Sequence, residues 1–407
     1  MEHEAAADPA TRRAWLEIDL AALRRNAEIA AAHIGGARLL PMVKADGYGL
    51  GALRVARALR GLDVWGLGVA TAEEGAELRR AGVDGRIVVF SPCAPLDAAA
   101  MLEHGLEPVV SSAEALSEYA RAAGAADATL PVHLEIDTGM GRSGLVHGSP
   151  DVWMPRLAAE LAAGHVRLAS TFTHFHSSER DPTATRIQWE RYQRALGALG
   201  AAEIDPGARH AANGGAMLRY PQWHADVVRP GLFLYGGGRG AVSVESPGAS
   251  GEADPVVRVR ARVLDVREVP AGTTVSYGAT YTTDRPSRLA TLGIGYGDGL
   301  PHALSGGGEA IVAGRRVPVR GAVCMDVTVV DVTAVDGVRP GFAATLLGRD
   351  GDEEIRLDEL AARCGTIEYE ILTGLGRRLP RVESAGPPGV PRGDTLETGG
   401  SARPWMS

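Results

Sequence analysis

The sequence predicts an α/β fold, a (β/α)8 TIM barrel followed by a mostly-β C-terminal domain. Across residues 13–240, eight short apolar segments typical of buried strands alternate with Ala- and Arg-rich segments of 3.6-residue apolar periodicity. Eight such units in roughly 220 residues match a (β/α)8 barrel, although a doubly wound sheet is the competing α/β interpretation. Short strands then follow residue 255, and they indicate a separate β domain.

The predicted barrel elements follow one another in a regular order. Asp19 is the predicted N-cap of the first helix, because a short acidic side chain accepts the free amides at a helix start. The clearest helical segments span residues 19–33, 52–60 and 71–81. The predicted strands span residues 39–43, 64–69, 86–90, 108–111, 132–136 and 168–173, with weaker signals near His210 and at 227–229.

The composition changes near residues 236–255, where glycine, serine and proline accumulate and predict a linker. In the segment that follows, Val257, Val259, Ala261 and Val263 alternate with arginines, as in a half-buried strand. Further strands are predicted at 289–293, 310–312, 317–320, 328–332 and 343–347. The predicted domain organisation is an N-terminal tail (1–12), the barrel (13–240), a linker (241–255), the β domain (256–382) and a disordered tail (383–407).

Composition also excludes several functional classes. The net charge of −8 argues against binding to nucleic acid or to an anionic membrane. Three widely spaced cysteines do not form a disulfide framework, and no metal site is predicted. No apolar run reaches about 18 residues, and the acidic N-terminus lacks the apolar core of a secretory signal. We therefore expect a soluble cytoplasmic protein.

One lysine stands out among the basic residues. Of the 42 lysines and arginines, only Lys44 is lysine. GC-rich codon usage explains why lysine is scarce, but not why one remains. Arginine stays protonated, whereas a desolvated lysine loses its proton and can form a Schiff base. Lys44 directly follows the first predicted barrel strand, at the end where such barrels place their sites, and Gly47 and Gly49 allow a ligand to approach the backbone closely.

The segment VKADGYG around Lys44 resembles the pyridoxal-phosphate lysine motif of alanine racemases. The resemblance extends over about residues 14–382, and eight further motifs occur in the family's order: HLEIDTGMGRSG, FTHF, HAANGGA, VVRPGLFLYG, VSYGATY, IGYGDGLPHALS, VCMDV and TIEYEIL. It implies pyridoxal 5'-phosphate as cofactor and a small amino acid as substrate. It also implies a head-to-tail homodimer, in which each active site lies between one subunit's barrel and the partner's β domain.

The resemblance implies two catalytic residues. Lys44 would be the Schiff-base lysine, and Tyr277 would reach the opposite face of the cofactor from the partner subunit. Racemisation removes a proton from one face of Cα and returns one to the other, which requires a base on each face. An unperturbed tyrosine, with a pKa of about 10, is a poor base at neutral pH. His174 matches the histidine that hydrogen-bonds this tyrosine.

The resemblance also implies a set of binding residues. Arg229 matches an arginine that faces the pyridine nitrogen; because a guanidinium donates without giving up its proton, that nitrogen would stay neutral. His210 matches the histidine that buttresses Arg229. The other implied cofactor contacts are Tyr48, Tyr369, Asn213, Gly214 and the backbone of Gly231 and Leu232. The implied substrate contacts are Arg142, Met325, Asp326 and Tyr296.

The sequence departs from the family pattern at three positions. Glu135 stands where many members carry a lysine that becomes carbamylated and orients the substrate-binding arginine; Glu135 is already an anion. Gly214 replaces a serine that commonly binds the cofactor phosphate, and losing such a charge-assisted hydrogen bond costs about 1.5–3 kcal/mol. Leu50 stands where histidine is common. These departures leave the amino-acid substrate open.

Four functions agree with these features. The first is an alanine racemase that supplies D-alanine for peptidoglycan, and the second is a racemase for serine or another small amino acid. The third is a pyridoxal-phosphate decarboxylase of the same fold, although the C-terminal motifs of such enzymes do not match VSYGATY or VCMDV. The fourth is a non-catalytic cofactor-binding protein, but the single-domain proteins of that kind lack a β domain.

Overall fold

The computed structural model describes residues 12–92, 97–238 and 252–384. Almost all of the predicted tails, 1–12 and 383–407, and most of the predicted linker, 241–255, lie outside the described residues. One parallel sheet system lies in the first part of the chain, and a second, mostly antiparallel sheet lies in the last part. The predicted fold class is therefore confirmed.

The first part alternates strands and helices as the sequence predicts. In chain order its strands are β1 (Ala14–Ile18), β2 (Arg38–Leu39), β3 (Leu67–Val69), β4 (Ile87–Val89), β5 (Glu107–Val110), β6 (Leu130–Asp137), β7 (Leu145–Val146), β8 (Val166–Phe172), β9 (Ala208–His210) and β10 (Val227–Val228). Its helices are α1 (Leu20–His33), α2 (Lys44–Tyr48), α3 (Ala52–Ala58), α4 (Ala72–Arg80), α5 (Ala98–Glu103), α6 (Ala113–Ala125), α7 (Pro150–Ala163), α8 (Pro182–Ala201) and α9 (Gly214–Arg219).

Eight parallel strands close into a ring. Strands β3, β4, β5, β6, β8 and β9 form one continuous sheet in that order, and β10 pairs with β2. Bridges between Leu39 and Val64 and between Met42 and Gly68 join β2 to the β3 edge. A bridge between Asn213 and Arg229 joins the β9 edge to β10. Each strand that the sequence predicted for the barrel has a counterpart in this ring, which places their C-terminal ends on one face.

Side-chain caps explain where the outer helices begin. The carboxylate of Asp19 accepts the amide of Ala22 at 2.8 Å, which confirms the predicted N-cap of α1. Ser112 and Asp181 cap α6 and α8 in the same way. Each cap satisfies an amide that has no partner inside the helix.

The last part of the chain forms the β domain. Val257, Val259, Ala261 and Val263 are buried, while the arginines between them are partly exposed, so the predicted alternation is confirmed. The elements of this part are β11 (Val257–Val269), β12 (Thr274–Val275), β13 (Tyr281–Thr282), β14 (Ser287–Leu292), β15 (Glu309–Val312), β16 (Arg315–Pro318), β17 (Thr328–Asp331), β18 (Ala343–Asp350), β19 (Glu353–Ile355), α10 (Leu357–Arg363), α11 (Glu368–Gly374) and β20 (Arg381–Glu383).

The first strand of the chain belongs to the β domain's sheet. β1 pairs antiparallel with β11, with Leu16 opposite Val259, and parallel with β20. It lies inside the range predicted for the barrel, 13–240, but the ring of eight strands does not include it. The two parts of the chain are therefore connected by strand pairing as well as by the segment that precedes β11.

Over residues 12–92, 97–238 and 252–384, no helix combines the length and the apolar character needed to cross a membrane.

Candidate active site

Lys44 lies at the carboxyl end of the first barrel strand. The amide of the preceding residue, Val43, donates to the carbonyl of Gly68 at 2.7 Å, so the backbone is still tied to the next strand at this point. Lys44 is half-buried; burial and the positive charge of Arg142 lower its pKa, and the carboxylate of Glu74 opposes them. A lowered pKa leaves more of the lysine as the neutral amine, the form that acts as a nucleophile and base.

Arg229 is buried beside His210. Its Nη1 donates to His210 Nδ1 at 2.7 Å, and its Nη2 donates to the carbonyls of Thr173 and Ala211 at 2.9 and 3.1 Å. Burial lowers the pKa of Arg229 to about 10, so the guanidinium remains protonated at neutral pH. The contact between His210 and Arg229 agrees with the buttressing role that the resemblance implies.

The contact between Arg229 and His210 continues through the barrel interior. His210 Nε2 lies 2.9 Å from Ser170 Oγ, Ser170 Oγ lies 2.7 Å from His133 Nδ1, and His133 Nε2 lies 2.9 Å from a Glu107 carboxylate oxygen. A guanidinium only donates and a carboxylate only accepts. The direction of all four hydrogen bonds is therefore fixed, and both histidines carry their proton on Nε2.

These buried histidines make the fold sensitive to acid. Burial holds the pKa of His210 well below its usual value and lowers that of His133. Between the folded and unfolded pKa values only the unfolded chain binds the proton, so stability is complete above about pH 6.5 and is lost as the pH falls. We expect the free energy of unfolding to decrease by about 1.4 kcal/mol per pH unit for each histidine. Urea denaturation at pH 7.5, 6.5 and 5.5 measures this slope.

The control is a histidine that lies outside the barrel interior. His302 is exposed, so a His302→Gln variant should retain the full slope, whereas His133→Gln should lose about one histidine's share of it. An unfolding free energy that stays constant between pH 7.5 and 5.5 would contradict this account.

His174 lies at the same end of the barrel. Burial and the positive charges of Arg229, Arg142 and Lys44 hold its pKa well below the usual value, so it is neutral at pH 7. Its Nδ1 lies 3.4 Å from Arg229 Nη2. Lys44, Arg142 and Arg229 thus all lie close enough to His174 for their charges to lower its pKa.

Two tyrosines that the resemblance assigns to the cofactor phosphate lie close together. Tyr48 is buried and stacks on Tyr235 with 4.3 Å between ring centroids, and the ring of Tyr369 lies 5.9 Å away. Burial, with Tyr369 beside it, raises the pKa of Tyr48, and burial with the negative charges of Glu179 and Glu368 raises the pKa of Tyr369 to about 12. Both hydroxyls are therefore protonated donors at neutral pH. A β-carbon at Gly231 would lie 2.3 Å from the Tyr48 hydroxyl, so any other residue there would displace the Tyr48 side chain.

Asn213 and Gly214 begin α9. The side chain of Asn213 is used within the protein: its Oδ1 accepts from Ser178 Oγ at 2.7 Å and from the Ala216 amide at 3.0 Å, and its Nδ2 donates to the Phe175 carbonyl. A contact between Asn213 and the cofactor stays a prediction. A β-carbon built on Gly214 meets no atom within 4 Å, so open space remains where the resemblance expects a serine side chain.

Glu135 and Arg142 meet at the edge of ion-pair distance. Arg142 Nη2 lies 4.0 Å from a Glu135 carboxylate oxygen, and the other oxygen accepts from Ser143 Oγ at 2.8 Å. Burial raises the pKa of Glu135, although Ser143 and the positive charges of Arg142 and Arg229 oppose it. The only lysine of the chain is Lys44, so no carbamylated lysine orients Arg142. Glu135 is the carboxylate that contacts it.

The remaining predicted residues form an exposed group on the β domain, the Tyr277 cluster: Tyr277, Tyr296, Met325 and Asp326. The Tyr277 side chain is 77% exposed. The preceding Ser276 contacts Cys324 at 3.2 Å, and the Tyr296 amide donates to the Cys324 carbonyl, so two loops support the cluster. In the described part of the chain, no hydrogen bond or ring contact joins this cluster to Lys44, Arg142 or Arg229.

Sequence reasoning missed several residues that support the site. Ser170 and His133 are fully buried polar residues of strands β8 and β6, and a polar side chain at a buried strand position is a signal for an internal network. Tyr235 lies inside the quoted motif VVRPGLFLYG, but only its stacking on Tyr48 shows its role. The sequence around Glu74 indicated only the start of a helix and gave no sign of a role at the site.

The fold and site together define a class: two-domain proteins with a parallel (β/α)8 barrel, a C-terminal β domain and a partly desolvated lysine at the mouth of the barrel. Residues 18–238 match the family model for the alanine racemase N-terminal domain, and residues 256–383 match the model for the C-terminal domain. The chain therefore belongs to the alanine racemase family.

Individual relatives are similar over nearly their whole length. The chain is 40% identical to an alanine racemase of Symbiobacterium thermophilum, over 91% of this chain and 97% of that protein. It is 36% identical to an alanine racemase of Halothermothrix orenii over the same shares. The crystal structure of an alanine racemase from Streptomyces lavendulae superposes with a TM-score of 0.84 at 35% identity, covering 92% of this chain and 97% of that one.

Proposed function

We propose that this protein interconverts L- and D-alanine with pyridoxal 5'-phosphate as its cofactor. The observation that carries the proposal is the chain's only lysine, which lies half-buried at the carboxyl end of the first barrel strand with a lowered pKa. The relatives that cover most of the chain carry the name alanine racemase, which supports alanine as the substrate.

The side chains present fit this cofactor. An aldehyde needs an amine, and Lys44 provides one whose pKa is lowered by burial and by Arg142. A neutral pyridine nitrogen needs a donor that keeps its proton, and Arg229 remains protonated with a pKa of about 10. A phosphate needs donors, and the protonated hydroxyls of Tyr48 and Tyr369 lie on neighbouring rings.

When bound, the cofactor supplies the aldehyde and the conjugated ring that make the α-proton of an amino acid acidic. The protein binds and orients the substrate and moves the proton. Arg142 offers a cation for the substrate carboxylate, and the Glu135 carboxylate, 4.0 Å from that cation, helps to orient it. Lys44 Nζ removes or returns the proton on one face, and the hydroxyl of Tyr277 of the partner subunit does so on the other.

A second copy of the chain completes this site in our proposal. Tyr277 is exposed on its own chain, and no described contact brings it to Lys44. The same is true of Tyr296 and Met325, which are also exposed large side chains. A head-to-tail homodimer would cover the Tyr277 cluster and place it against the partner's barrel mouth.

The test is α-proton exchange in deuterated water across a panel of amino acids, read together with product chirality. We expect either enantiomer of alanine to exchange its α-proton and to yield the racemic mixture. A faster reaction with serine would identify serine, rather than alanine, as the substrate. Release of carbon dioxide would indicate a decarboxylase. Failure of every amino acid to exchange, with no carbon dioxide released, would favour a non-catalytic cofactor-binding protein.

A further inference from the structure

The turn that carries Lys44, Lys44–Tyr48, has an unusual backbone. Ala45, Asp46, Gly47 and Tyr48 have φ angles of 53, 52, 60 and 55°, all in the left-handed region. Only one of the four is glycine, and residues with a β-carbon avoid this region, especially in succession. Such a turn persists only where the surrounding structure holds it.

One carboxylate holds the turn at its first residue. Glu74 Oε1 accepts the amide of Ala45 at 2.7 Å, and Glu74 Oε2 accepts the amide of Ala70, just after β3, also at 2.7 Å. Both bonds are charge-assisted, and each carboxylate oxygen has its own partner. The Lys44 turn is thereby fixed to the end of the neighbouring strand.

This arrangement differs from ordinary helix capping. The segment TAEE has the spacing of a capping box, in which the glutamate binds the amide of the capping threonine. Thr71 does cap α4, by accepting the amide of Glu74. The Glu74 carboxylate, however, binds the amide one residue before Thr71 and a second amide beside Lys44. Its contacts therefore serve the junction between two strands rather than the helix alone.

The rest of the turn is held by other groups. The carboxylate of Asp46 accepts the amide of Ala52 at 2.8 Å, and Arg381 donates to the carbonyl of Gly49 at 3.0 Å. These contacts fix the far side of the turn. Among these side-chain contacts to the turn, the Glu74 contact is the one nearest to Lys44.

We propose that Glu74 is a positioning residue for Lys44: its carboxylate bridges the amides of Ala45 and Ala70, and so fixes the turn from which the lysine side chain extends. This positioning role rests on the proposed function only in one respect: its effect on racemisation requires that the protein is a racemase. Glu74 also acts through charge, since it opposes the lowering of the Lys44 pKa by burial and by Arg142. Removing its charge should therefore lower that pKa further.

Two variants separate geometry from charge. In Glu74→Gln the negative charge is lost, and an NH₂ group that cannot accept a hydrogen bond replaces one carboxylate oxygen. One of the two bridged backbone N–H groups therefore loses its partner. In Glu74→Asp the charge stays, but the shorter side chain cannot span both amides. Glu77→Gln is the matched control, because Glu77 lies on the same helix with an exposed side chain.

Two measurements on the full-length protein test the proposal. Hydrogen-exchange mass spectrometry follows the peptides that contain Ala45 and Ala70, and NMR of selectively labelled lysine in the cofactor-free chain reports the Lys44 pKa from a single side-chain signal. Each Glu74 variant leaves at least one of these two amides without its acceptor, so we expect exchange at Ala45 or at Ala70 to become about tenfold faster. We expect the Lys44 pKa to fall in Glu74→Gln and to stay closer to the parent value in Glu74→Asp, with Glu77→Gln unchanged in both measurements.

Unchanged exchange at both Ala45 and Ala70 together with an unchanged Lys44 pKa in Glu74→Gln would overturn the proposal. Faster exchange throughout the barrel in both variants would also overturn it, because Glu74 would then serve the fold as a whole. Neither measurement depends on racemisation. A parent chain that fails to racemise alanine would therefore reject the proposed function without deciding the role of Glu74.

Discussion

Replacing Lys44 with arginine should abolish racemisation, with a loss of roughly ten-thousandfold or more in kcat. Arginine keeps a positive charge and a similar reach, but it stays protonated and supplies neither a neutral amine for the cofactor aldehyde nor a base. The partial burial that lowers the Lys44 pKa has no useful effect on a guanidinium. Racemisation rates by polarimetry or coupled D-amino-acid oxidation measure the loss.

The single lysine gives this variant a sharp control. Borohydride reduction of the cofactor-loaded parent should attach the cofactor at one side chain, Lys44. A double variant, Lys44→Arg with Arg80→Lys, restores the lysine count at an exposed position of α4. It should neither incorporate the cofactor covalently nor regain activity. Covalent labelling of the lysine introduced on α4, together with recovered racemisation, would show that the position of the lysine is unimportant.

Most of the fold could be predicted from patterns within short segments of the sequence. The alternation of strands and helices depends on apolar periodicity, which each segment contains within itself. The N-cap at Asp19 and the period-two strand at 257–263 are also local, and the structure has both. For the same reason β1 was not predicted as a separate element within the range 13–240: nothing local in its five residues, AWLEI, assigns them to a domain, and only pairing with β11 and β20 assigns β1 to the sheet of the β domain.

The internal network could not be predicted because it depends on strand register. His133 lies opposite Ser170 in the pairing of β6 with β8, and this register follows an irregularity between Val132 and His133. A shift of one residue would point these side chains to the other side of the sheet. The contact between Glu74 and Ala45 likewise joins residues that are 29 positions apart in sequence.

The site prediction was strongest where a motif joins neighbouring residues and weakest between subunits. Lys44 and Tyr48 lie on one turn, and Arg229 and Gly231 follow one strand, so their proximity follows from the motif. The approach of the Tyr277 cluster to a second chain has no counterpart in a single chain. It stays a prediction.

Replacing Tyr277 with phenylalanine should reduce racemisation by about a hundredfold to ten-thousandfold, the usual range for loss of a catalytic acid or base. The ring and its packing remain, and only the hydroxyl is lost. Cofactor binding should be unchanged, since the groups proposed to hold it lie in the barrel and on α11. Tyr281→Phe is the matched control: it removes a hydroxyl from the same VSYGATY segment and keeps the ring that contacts Arg320.

Mixing two inactive variants tests whether the site is shared between subunits. A hybrid of a Lys44→Arg chain and a Tyr277→Phe chain contains one site with both native residues and one site with neither. If each site combines Lys44 of one subunit with Tyr277 of the partner subunit, random reassociation should restore about a quarter of the parent activity, because half of the dimers are hybrids with one intact site each. If both residues of a site came from the same chain, every site in the mixture would lack one of them, and no activity would return.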